Sequence, residues 1–209
     1  MKKRRILLAD DHKFITESLK GILEPIYEVV GIVEDGQMLV KEAARLLPDV
    51  IIVDISMPKL NGLEAIRHIK KDGIESKVIF LTMHPDIIYA SNALEVGALG
   101  YVLKHSAQSE LLEAVKKVLL GEIFITEKIA EELENVPHSR RDPARKVSAR
   151  QREVLQLLAE GKPAKEVADI LCISPRTVEF HKYRIMKELG MSRSAELVQY
   201  SIKHGIITI

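Results

Sequence analysis

Tryptophan is absent from this 209-residue sequence, aromatic residues make up only 4% of it, and Cys172 is its single cysteine. One cysteine cannot form a disulfide within the chain, which excludes a disulfide-stabilised scaffold and favours a reducing compartment. Because Cys172 lies in an apolar run, we expect it to be a buried small hydrophobic residue rather than a reactive thiol.

Long hydrophobic runs are also missing. None approaches the ~18 apolar residues of a membrane span. The basic residues 2–5 resemble the start of a signal peptide, but the apolar run behind them, residues 6–9, is shorter than the ~7–15 residues of a signal-peptide core. We therefore expect a cytoplasmic protein without a membrane partner.

Neither sign of charge dominates, since 31 Lys and Arg stand against 30 Asp and Glu, for a formal net charge of +1. The last third of the chain is mildly basic, which permits an anionic partner without requiring one. Hydrophobic residues make up 46% of the sequence. That content is enough for the packed cores of one or two domains.

Strand-like and helix-like patterns alternate through the first part of the chain. Apolar runs without helical period indicate strands buried on both faces. These runs are residues 6–9, 29–33, 50–53, 78–81 and 100–103. A helical apolar stripe follows each run, and the first stripe includes Phe14, Leu19 and Leu23. Strict alternation of five such units predicts a five-stranded, doubly wound parallel sheet of the flavodoxin-like class.

These patterns divide the chain into three regions. Residues 1–122 form the α/β domain. Residues 123–146 form a linker, in which residues 123–134 have the pattern of a short amphipathic helix. Residues 135–146 combine prolines and basic residues with almost nothing apolar, which is typical of an interdomain segment. Residues 147–209 form an all-α domain.

The all-α domain has the start and stop signals of a helix-turn-helix. A short helix is predicted after Pro163. Ser174 and Pro175 form an N-cap with proline at the first helical position, and the helix that they begin runs to about Leu189, before Gly190. A short helix, a tight turn and a longer capped helix predict a helix-turn-helix within a four-helix unit.

Candidate site residues lie at the carboxyl ends of the predicted strands. Asp10 and Asp11 follow the first strand and Asp54 the third, while Thr82 and Lys104 end the fourth and fifth. In an open α/β fold these ends line one crevice where ligands bind. Singly, each residue could be a helix cap, a turn former or a solvated charge. Their joint position indicates a functional site.

The residue types in this crevice suit phosphoryl transfer. Neighbouring carboxylates raise one another's pKa, and a hard divalent cation such as Mg²⁺ relieves the repulsion. Asp54 then has the role of a carboxylate nucleophile that forms an aspartyl phosphate. Lys104 supplies a positive charge and Thr82 a hydroxyl donor for the phosphoryl oxygens.

The segments LLADDH, VDISMPKLNG, LT and GYVLK resemble, in order and spacing, the receiver domain of two-component response regulators. The resemblance implies that Asp54 accepts phosphate from a sensor histidine kinase. It implies that Asp10 and Asp11 hold Mg²⁺ together with Asp54 and a backbone carbonyl at Ser56. It also implies that Thr82 and Lys104 contact the phosphoryl group. Tyr101 matches an aromatic switch residue that turns inward on activation.

The helix that begins at Ser174 has two different faces. Helical spacing places Val178, Ile185 and Leu189 on one buried stripe. The opposite face carries bases and two aromatic residues, which are Arg176, Phe180, Tyr183, Arg184 and Lys187. Such a face suits a DNA major groove, because Arg and Lys bind phosphates and Phe contacts a thymine methyl group. A solvated face is the alternative, but two exposed aromatic residues favour a binding surface.

Residues 147–209 are similar to the LuxR-type helix-turn-helix, and the two halves together resemble a NarL/FixJ-type response regulator. The resemblance implies a double-stranded DNA partner and a homodimer in the phosphorylated or DNA-bound form. The predicted DNA-binding residues are Lys165, Arg176, Thr177, Glu179, Phe180, Lys182, Tyr183, Arg184 and Lys187.

Two positions depart from the family pattern. Gln151 stands where members often have Glu, which weakens an expected ion pair. Glu179 stands where many members have a Lys that contacts DNA. A glutamate repels phosphate but can accept a hydrogen bond from cytosine N4, which predicts a different target sequence.

Two other functions compete with this interpretation. A haloacid-dehalogenase-like phosphatase also uses a strand-end aspartate and Mg²⁺, but it usually needs a second acid two residues further on, where this chain has Ser56. A module that binds only protein is the other alternative. We expect no enzyme activity beyond Mg²⁺-dependent self-phosphorylation and dephosphorylation of Asp54.

Overall fold

The computed structural model describes residues 3–134 and 147–207. The chain divides into two compact units, Met1–Pro137 and His138–Ile209. The proline-rich and basic part of the predicted linker, residues 135–146, lies outside the described residues. Within the described ranges, no helix combines the length and the apolar character needed to cross a lipid bilayer.

The first unit alternates strands and helices. Its strands are β1 (Arg5–Ala9), β2 (Glu28–Val33), β3 (Val50–Val53), β4 (Lys77–Thr82), β5 (Gly100–Leu103) and β6 (Phe124–Ile125). Its helices are α1 (Lys13–Leu23), α2 (Gly36–Leu46), α3 (Gly62–Lys71), α4 (Ile87–Glu95), α5 (Ala107–Leu120) and α6 (Glu127–Glu134). All strands pair in parallel, in the order β2-β1-β3-β4-β5-β6.

Both faces of the sheet are buried, which confirms the doubly wound class. Ile51 and Val53 of β3 pack on one face with residues of α2, α3 and α4. Val50 and Ile52 pack on the other face with residues of α1 and α5. Because side chains alternate between faces along a strand, a strand covered on both sides is apolar at every position. This explains the uninterrupted apolar run before Asp54.

The sheet formed by the described residues has six strands, where the sequence predicts five. The sixth, β6, pairs with β5 through the register Gly100 to Phe124 and Tyr101 to Ile125. Two residues are too few to produce a strand pattern in the sequence. Helix α6 follows at once, and its Ile129 is fully buried in the same core as β3. Part of the segment predicted as linker therefore packs on the α/β unit.

Helix α1 presents a different stripe from the one expected, because Phe14 is 88% exposed. The buried residues of α1 are Thr16, Leu19 and Leu23. Phe14 lies two residues before Thr16, and two residues rotate a helix by about 200°, so Phe14 points away from the sheet.

The second unit is all-α, as predicted. Its helices are α7 (Ala149–Ala159), α8 (Ala164–Leu171), α9 (Pro175–Leu189) and α10 (Ser194–Lys203). Ser174 caps α9 by accepting the backbone N–H of Thr177 at 3.1 Å, and Gly190 ends the helix with φ 68°. Helices α8 and α9 with the turn between them form the helix-turn-helix.

Cys172 is exposed, so the expectation of a buried residue is wrong. Cys172 is the C-cap of α8 and has left-handed backbone angles, φ 52° and ψ 46°. The chain reverses direction at this residue, and Leu171 before it occupies the core instead.

Candidate functional sites

The acidic crevice is built by neighbouring strands in register. Ala9 at the end of β1 pairs with Val53 at the end of β3. The pairing continues one residue further, because the N–H of Asp54 donates to the carbonyl of Ala9 at 2.8 Å. Asp10 similarly donates its N–H to Val33 at 3.0 Å. The backbone thus fixes both carboxylates at one edge of the sheet, where they are 3% and 4% exposed.

Lys104 lies between these two buried acids. Its Nζ is 2.7 Å from Asp10 Oδ2 and 2.7 Å from Asp54 Oδ2, and its side chain is 3% exposed. Burial lowers the pKa of Lys104, but the charges of both acids and their hydrogen bonds outweigh burial and raise that pKa above its ordinary value. Burial raises the pKa of Asp54, against the lowering effect of Lys104. The crevice therefore holds a lysine cation shared by two carboxylates.

Asp11 and His12 complete the crevice on its open side. Both side chains are exposed, and His12 Nδ1 lies 3.0 Å from Asp10 Oδ1 and 3.0 Å from Asp11 Oδ1. One potential ligand atom from each of Asp10, Asp11, His12 and Asp54 falls within 4.8 Å of the others. Asp54 Oδ1 is buried and has no hydrogen-bond partner within the described part of the chain. A cluster of carboxylate oxygens, one of them buried and without a hydrogen-bond partner among the described residues, fits a hard divalent cation.

Ser56, Thr82 and Tyr101 all contact one residue that the sequence did not single out, His84. Ser56 Oγ lies 3.2 Å from His84 Nε2. Thr82 Oγ1 accepts the backbone N–H of His84 at 3.2 Å, and the Tyr101 hydroxyl donates to the His84 carbonyl at 2.7 Å. Thr82 and Tyr101 are fully buried. His84 therefore joins the residues predicted to sense the phosphoryl group.

His84 is partly buried against an aromatic ring and lies within the influence of the positive charge of Lys104. Its ring stacks on Tyr89, with centroids 4.8 Å apart. Burial, followed by the charge of Lys104, lowers the pKa of His84, and this keeps the imidazole neutral over a wider pH range. Burial also raises the pKa of Tyr101 above its ordinary value. Both side chains are therefore neutral partners in the contacts described above.

The second candidate site is the outward face of α9. Val178 and Ile185 are fully buried, whereas Phe180 is 56% and Tyr183 65% exposed. The other exposed residues of the predicted set are Lys165 on α8 and Arg176, Glu179, Arg184 and Lys187 on α9. Thr177 and Lys182 are half-buried. The face therefore combines positive charge with two aromatic rings that are exposed rather than packed in the core.

Contacts on α9 orient part of this face. The Arg184 guanidinium lies 5.8 Å from the centre of the Phe180 ring and 3.3 Å from Glu188 Oε1. Gln151 donates through Nε2 to Glu188 Oε2 at 3.0 Å and accepts the Ser148 N–H at 2.8 Å. The amide therefore makes two hydrogen bonds, one of which completes the cap of α7.

An α/β unit with an acidic crevice at its strand ends, joined to a helix-turn-helix, defines a class of regulatory protein. Residues 6–116 match the response regulator receiver domain family, and residues 145–201 match the luxR family of bacterial regulatory proteins.

The chain is similar to whole regulatory proteins. It is 33% identical over 210 residues to the transcriptional regulatory protein MctR of Rhizobium johnstonii, across 99% of this chain and 96% of MctR. It is 31% identical over 206 residues to the response regulator UvrY of Escherichia coli K12, across 96% and 94%. A solved structure of two RcsB dimers bound to two parallel DNAs is 29% identical, with a TM-score of 0.62, across 97% and 99%.

The chain therefore belongs to the response regulator receiver family and carries a luxR-family C-terminal domain. It is a transcriptional response regulator of the two-component type. This confirms the family, the fold class and the regulatory function expected from the sequence. The membership supports a regulatory rather than an enzymatic role.

Proposed function

We propose that phosphorylation of Asp54 controls the binding of double-stranded DNA by α9. The observation that carries the proposal is the Asp54 carboxylate itself. Its Oδ2 lies 2.7 Å from Lys104 Nζ, while its buried Oδ1 accepts no hydrogen bond from the described residues. One oxygen held by a lysine beside one without a partner suits a carboxylate that forms a new bond.

The phosphoryl donor is a phosphohistidine of a sensor histidine kinase. An Asp54 oxygen bonds to phosphorus as the P–N bond breaks, and the departing nitrogen keeps the electron pair. The protein contributes position and charge, which are the main requirements of phosphoryl transfer. Lys104 already lies against Asp54, so its positive charge is in place for the phosphoryl oxygens.

The oxygen donors of the crevice fit Mg²⁺. Asp10, Asp11 and Asp54 would hold the ion with the backbone carbonyl of Ser56. When bound, Mg²⁺ offsets the negative charge of the phosphoryl oxygens. The fit rests on the clustered carboxylates and on the buried, unpartnered Oδ1 of Asp54.

Thr82 and Tyr101 transmit the change at Asp54 to the loop between β4 and α4. Because Thr82 Oγ1 accepts the His84 N–H, its own proton is available to a phosphoryl oxygen. The Tyr101 hydroxyl holds the carbonyl of the same residue, His84. A movement of Thr82 toward the phosphoryl group therefore acts on backbone that Tyr101 also restrains. This is a two-state element that a covalent switch can bias.

The DNA-binding set is the outward face of α9 together with one residue of α8. It comprises Lys165, Arg176, Thr177, Glu179, Phe180, Lys182, Tyr183, Arg184 and Lys187. Basic side chains contact phosphates and position the helix in the major groove, and Glu179 accepts from the N4 group of cytosine. Two copies of the chain act together when phosphorylated or bound to DNA. A DNA partner supports a cytoplasmic location.

Labelling with acetyl phosphate and Mg²⁺ tests the first half of the proposal. We expect the wild type to acquire one acid-stable, base-labile phosphoryl group. Asp54→Asn should acquire none, because an amide cannot act as the nucleophile. Ser56→Ala, which keeps the backbone carbonyl, serves as the matched control and should still be labelled. Equal labelling of Asp54→Asn would overturn the assignment.

An electrophoretic shift with genomic DNA fragments tests the second half. Phosphorylation should raise DNA affinity by about 5- to 150-fold, the usual range of coupling between sites. Asp54→Asn should not respond to acetyl phosphate. A phosphorylated protein that shifts no DNA fragment would favour the module that binds only protein.

A further inference from the structure

The imidazole of His12 belongs to the acidic crevice, yet the proposed function gives it no role. Its Nδ1 is 3.0 Å from Asp10 Oδ1 and 3.0 Å from Asp11 Oδ1. We infer that His12 is a nitrogen ligand of the cation site, which therefore binds Ni²⁺ and Co²⁺ more tightly than an all-oxygen site would. The inference rests on the proposed cation site and adds a ligand and a metal preference to it.

The spacing of the donor atoms agrees with coordination of one ion. Ligands about 2.1 Å from an octahedral ion are about 3.0 Å apart when adjacent and about 4.2 Å apart when opposite. The His12 nitrogen lies at the adjacent spacing from two carboxylate oxygens. All four donors fall within 4.8 Å of one another, so a single ion requires only small movements.

The cluster differs from an ordinary group of surface acids because Asp54 contributes a buried oxygen without a hydrogen-bond partner in the described part of the chain. Asp54 is 4% exposed, and its Oδ1 has no hydrogen-bond partner within residues 3–134 and 147–207. A buried carboxylate oxygen without a partner is costly unless a ligand satisfies it. This observation is independent of His12 and indicates that a cation binds here.

The backbone places His12 toward the acids. His12 directly precedes α1, with φ −91° and ψ 95°, and its N–H donates to Asp10 Oδ1 at 2.9 Å. The same carboxylate oxygen thus meets both the backbone and the ring of His12. The ring position is therefore set by the turn between β1 and α1.

A nitrogen ligand among carboxylate oxygens strengthens the binding of some divalent ions more than others. Mg²⁺ prefers oxygen and keeps several waters, so an imidazole adds little to its binding. Imidazole suits Ni²⁺ and Zn²⁺, and affinities of divalent ions rise from Mn²⁺ through Co²⁺ and Ni²⁺ to Cu²⁺. His12 should therefore strengthen Ni²⁺ and Co²⁺ binding selectively. These ions would then compete with Mg²⁺ at Asp54.

Calorimetric titration of the untagged full-length protein with Ni²⁺ and with Mg²⁺ tests the inference. His12→Gln should raise the Ni²⁺ dissociation constant by at least about tenfold, since loss of even an outer partner of a ligand costs that much. Mg²⁺ binding should be unchanged. His68→Gln, a histidine of the same unit outside the cluster, should leave both ions unaffected.

A spectroscopic readout identifies the ligand directly. With Co²⁺ bound, the NMR spectrum should contain a hyperfine-shifted imidazole N–H signal in the wild type and in His68→Gln. The signal should be missing from His12→Gln. An unchanged Ni²⁺ affinity and an unchanged Co²⁺ spectrum in His12→Gln would overturn the role of His12.

Asp11→Asn separates this failure from failure of the cation site. If Asp11→Asn weakens Mg²⁺ and Ni²⁺ while His12→Gln weakens neither, the site is real and consists of oxygen ligands only. If Asp11→Asn changes neither ion, the cation site is wrong, and the role of His12 fails with it.

Discussion

At the scale of single residues, the crevice depends on the balance between one buried ammonium and two buried carboxylates. Lys104 contacts both acids at 2.7 Å, and all three side chains are at least 96% buried. Removing one partner of a buried ion pair leaves an uncompensated charge and costs about 3–5 kcal/mol. The pairing of these residues therefore stabilises the α/β unit as well as building the proposed site.

Lys104→Met should destabilise the α/β unit by about 3–5 kcal/mol near pH 7.5 in a chelator, and by less at pH 5. Without the ammonium, burial and the charge of Asp10 act unopposed on Asp54 and raise its folded pKa further above the unfolded value. The folded state then binds more protons, so stability falls as pH rises. Hydrogen exchange of the β1 and β3 amides measures this unit alone.

Lys77→Met is the control for this experiment, because Lys77 is a partly buried lysine that donates to the Leu119 carbonyl and contacts no acid of the crevice. The stability of Lys77→Met should not fall with rising pH as the stability of Lys104→Met does. Equal slopes in the two variants would contradict the charge balance assigned to Lys104.

Residues at strand ends could be predicted from the sequence, whereas their neighbours in space could not. Apolar β-branched runs mark where strands end, so Asp10, Asp54 and Lys104 could be assigned to one edge. His84 meets Ser56 across 28 positions of sequence, and no periodic pattern encodes such a contact. His12 did have a signal, its position directly after two candidate ligands.

At the scale of elements, short segments and turns account for the differences between expectation and structure. Strand β6 has two residues, too few for a pattern, and the residue that joins α6 to the core is Ile129. Cys172 appears apolar in sequence, but its environment is set by the reversal of the chain after α8. Tertiary context overrides local pattern at both places.

Ile129→Ala should release α6 from the sheet and lower the stability of the α/β unit by about 2–5 kcal/mol, as for a large-to-small change in a core. The measurement is hydrogen exchange of the Phe124 and Thr126 amides, which donate to Leu99 and Tyr101. Lys128→Ala, an exposed position on the same helix, is the control. Full protection in Ile129→Ala would mean that α6 acts only as linker.

The turn after α8 predicts how substitutions of Cys172 change stability, and an exposed and a buried Cys172 predict opposite orders. The left-handed conformation of Cys172 disfavours β-branched side chains and tolerates asparagine. Cys172→Val should therefore destabilise the C-terminal unit by about 1–2 kcal/mol, and Cys172→Asn should be nearly neutral. A buried cysteine would give the reverse order. Hydrogen exchange of the α8 and α9 amides decides between them.

At the scale of the whole molecule, positive and negative charges nearly balance, so only local groups of charged residues can attract DNA. The net charge is only +1, so no long-range positive field attracts DNA to the chain as a whole. The proposed function therefore assigns DNA affinity to the exposed bases of α9 and Lys165 and not to overall charge. Each phosphate contact releases counterions, which makes affinity fall with salt in proportion to the number of contacts.

Lys187→Ala should lower the slope of log affinity against log salt by about 0.9, the contribution of one phosphate contact in B-DNA. Lys187 is exposed in the last turn of α9. Lys41→Ala removes an equal charge from an exposed position on α2 and should leave the slope unchanged. Titrations at four salt concentrations measure both slopes. Equal losses in the two variants would mean that affinity follows net charge, and that α9 is not the surface that meets the phosphates.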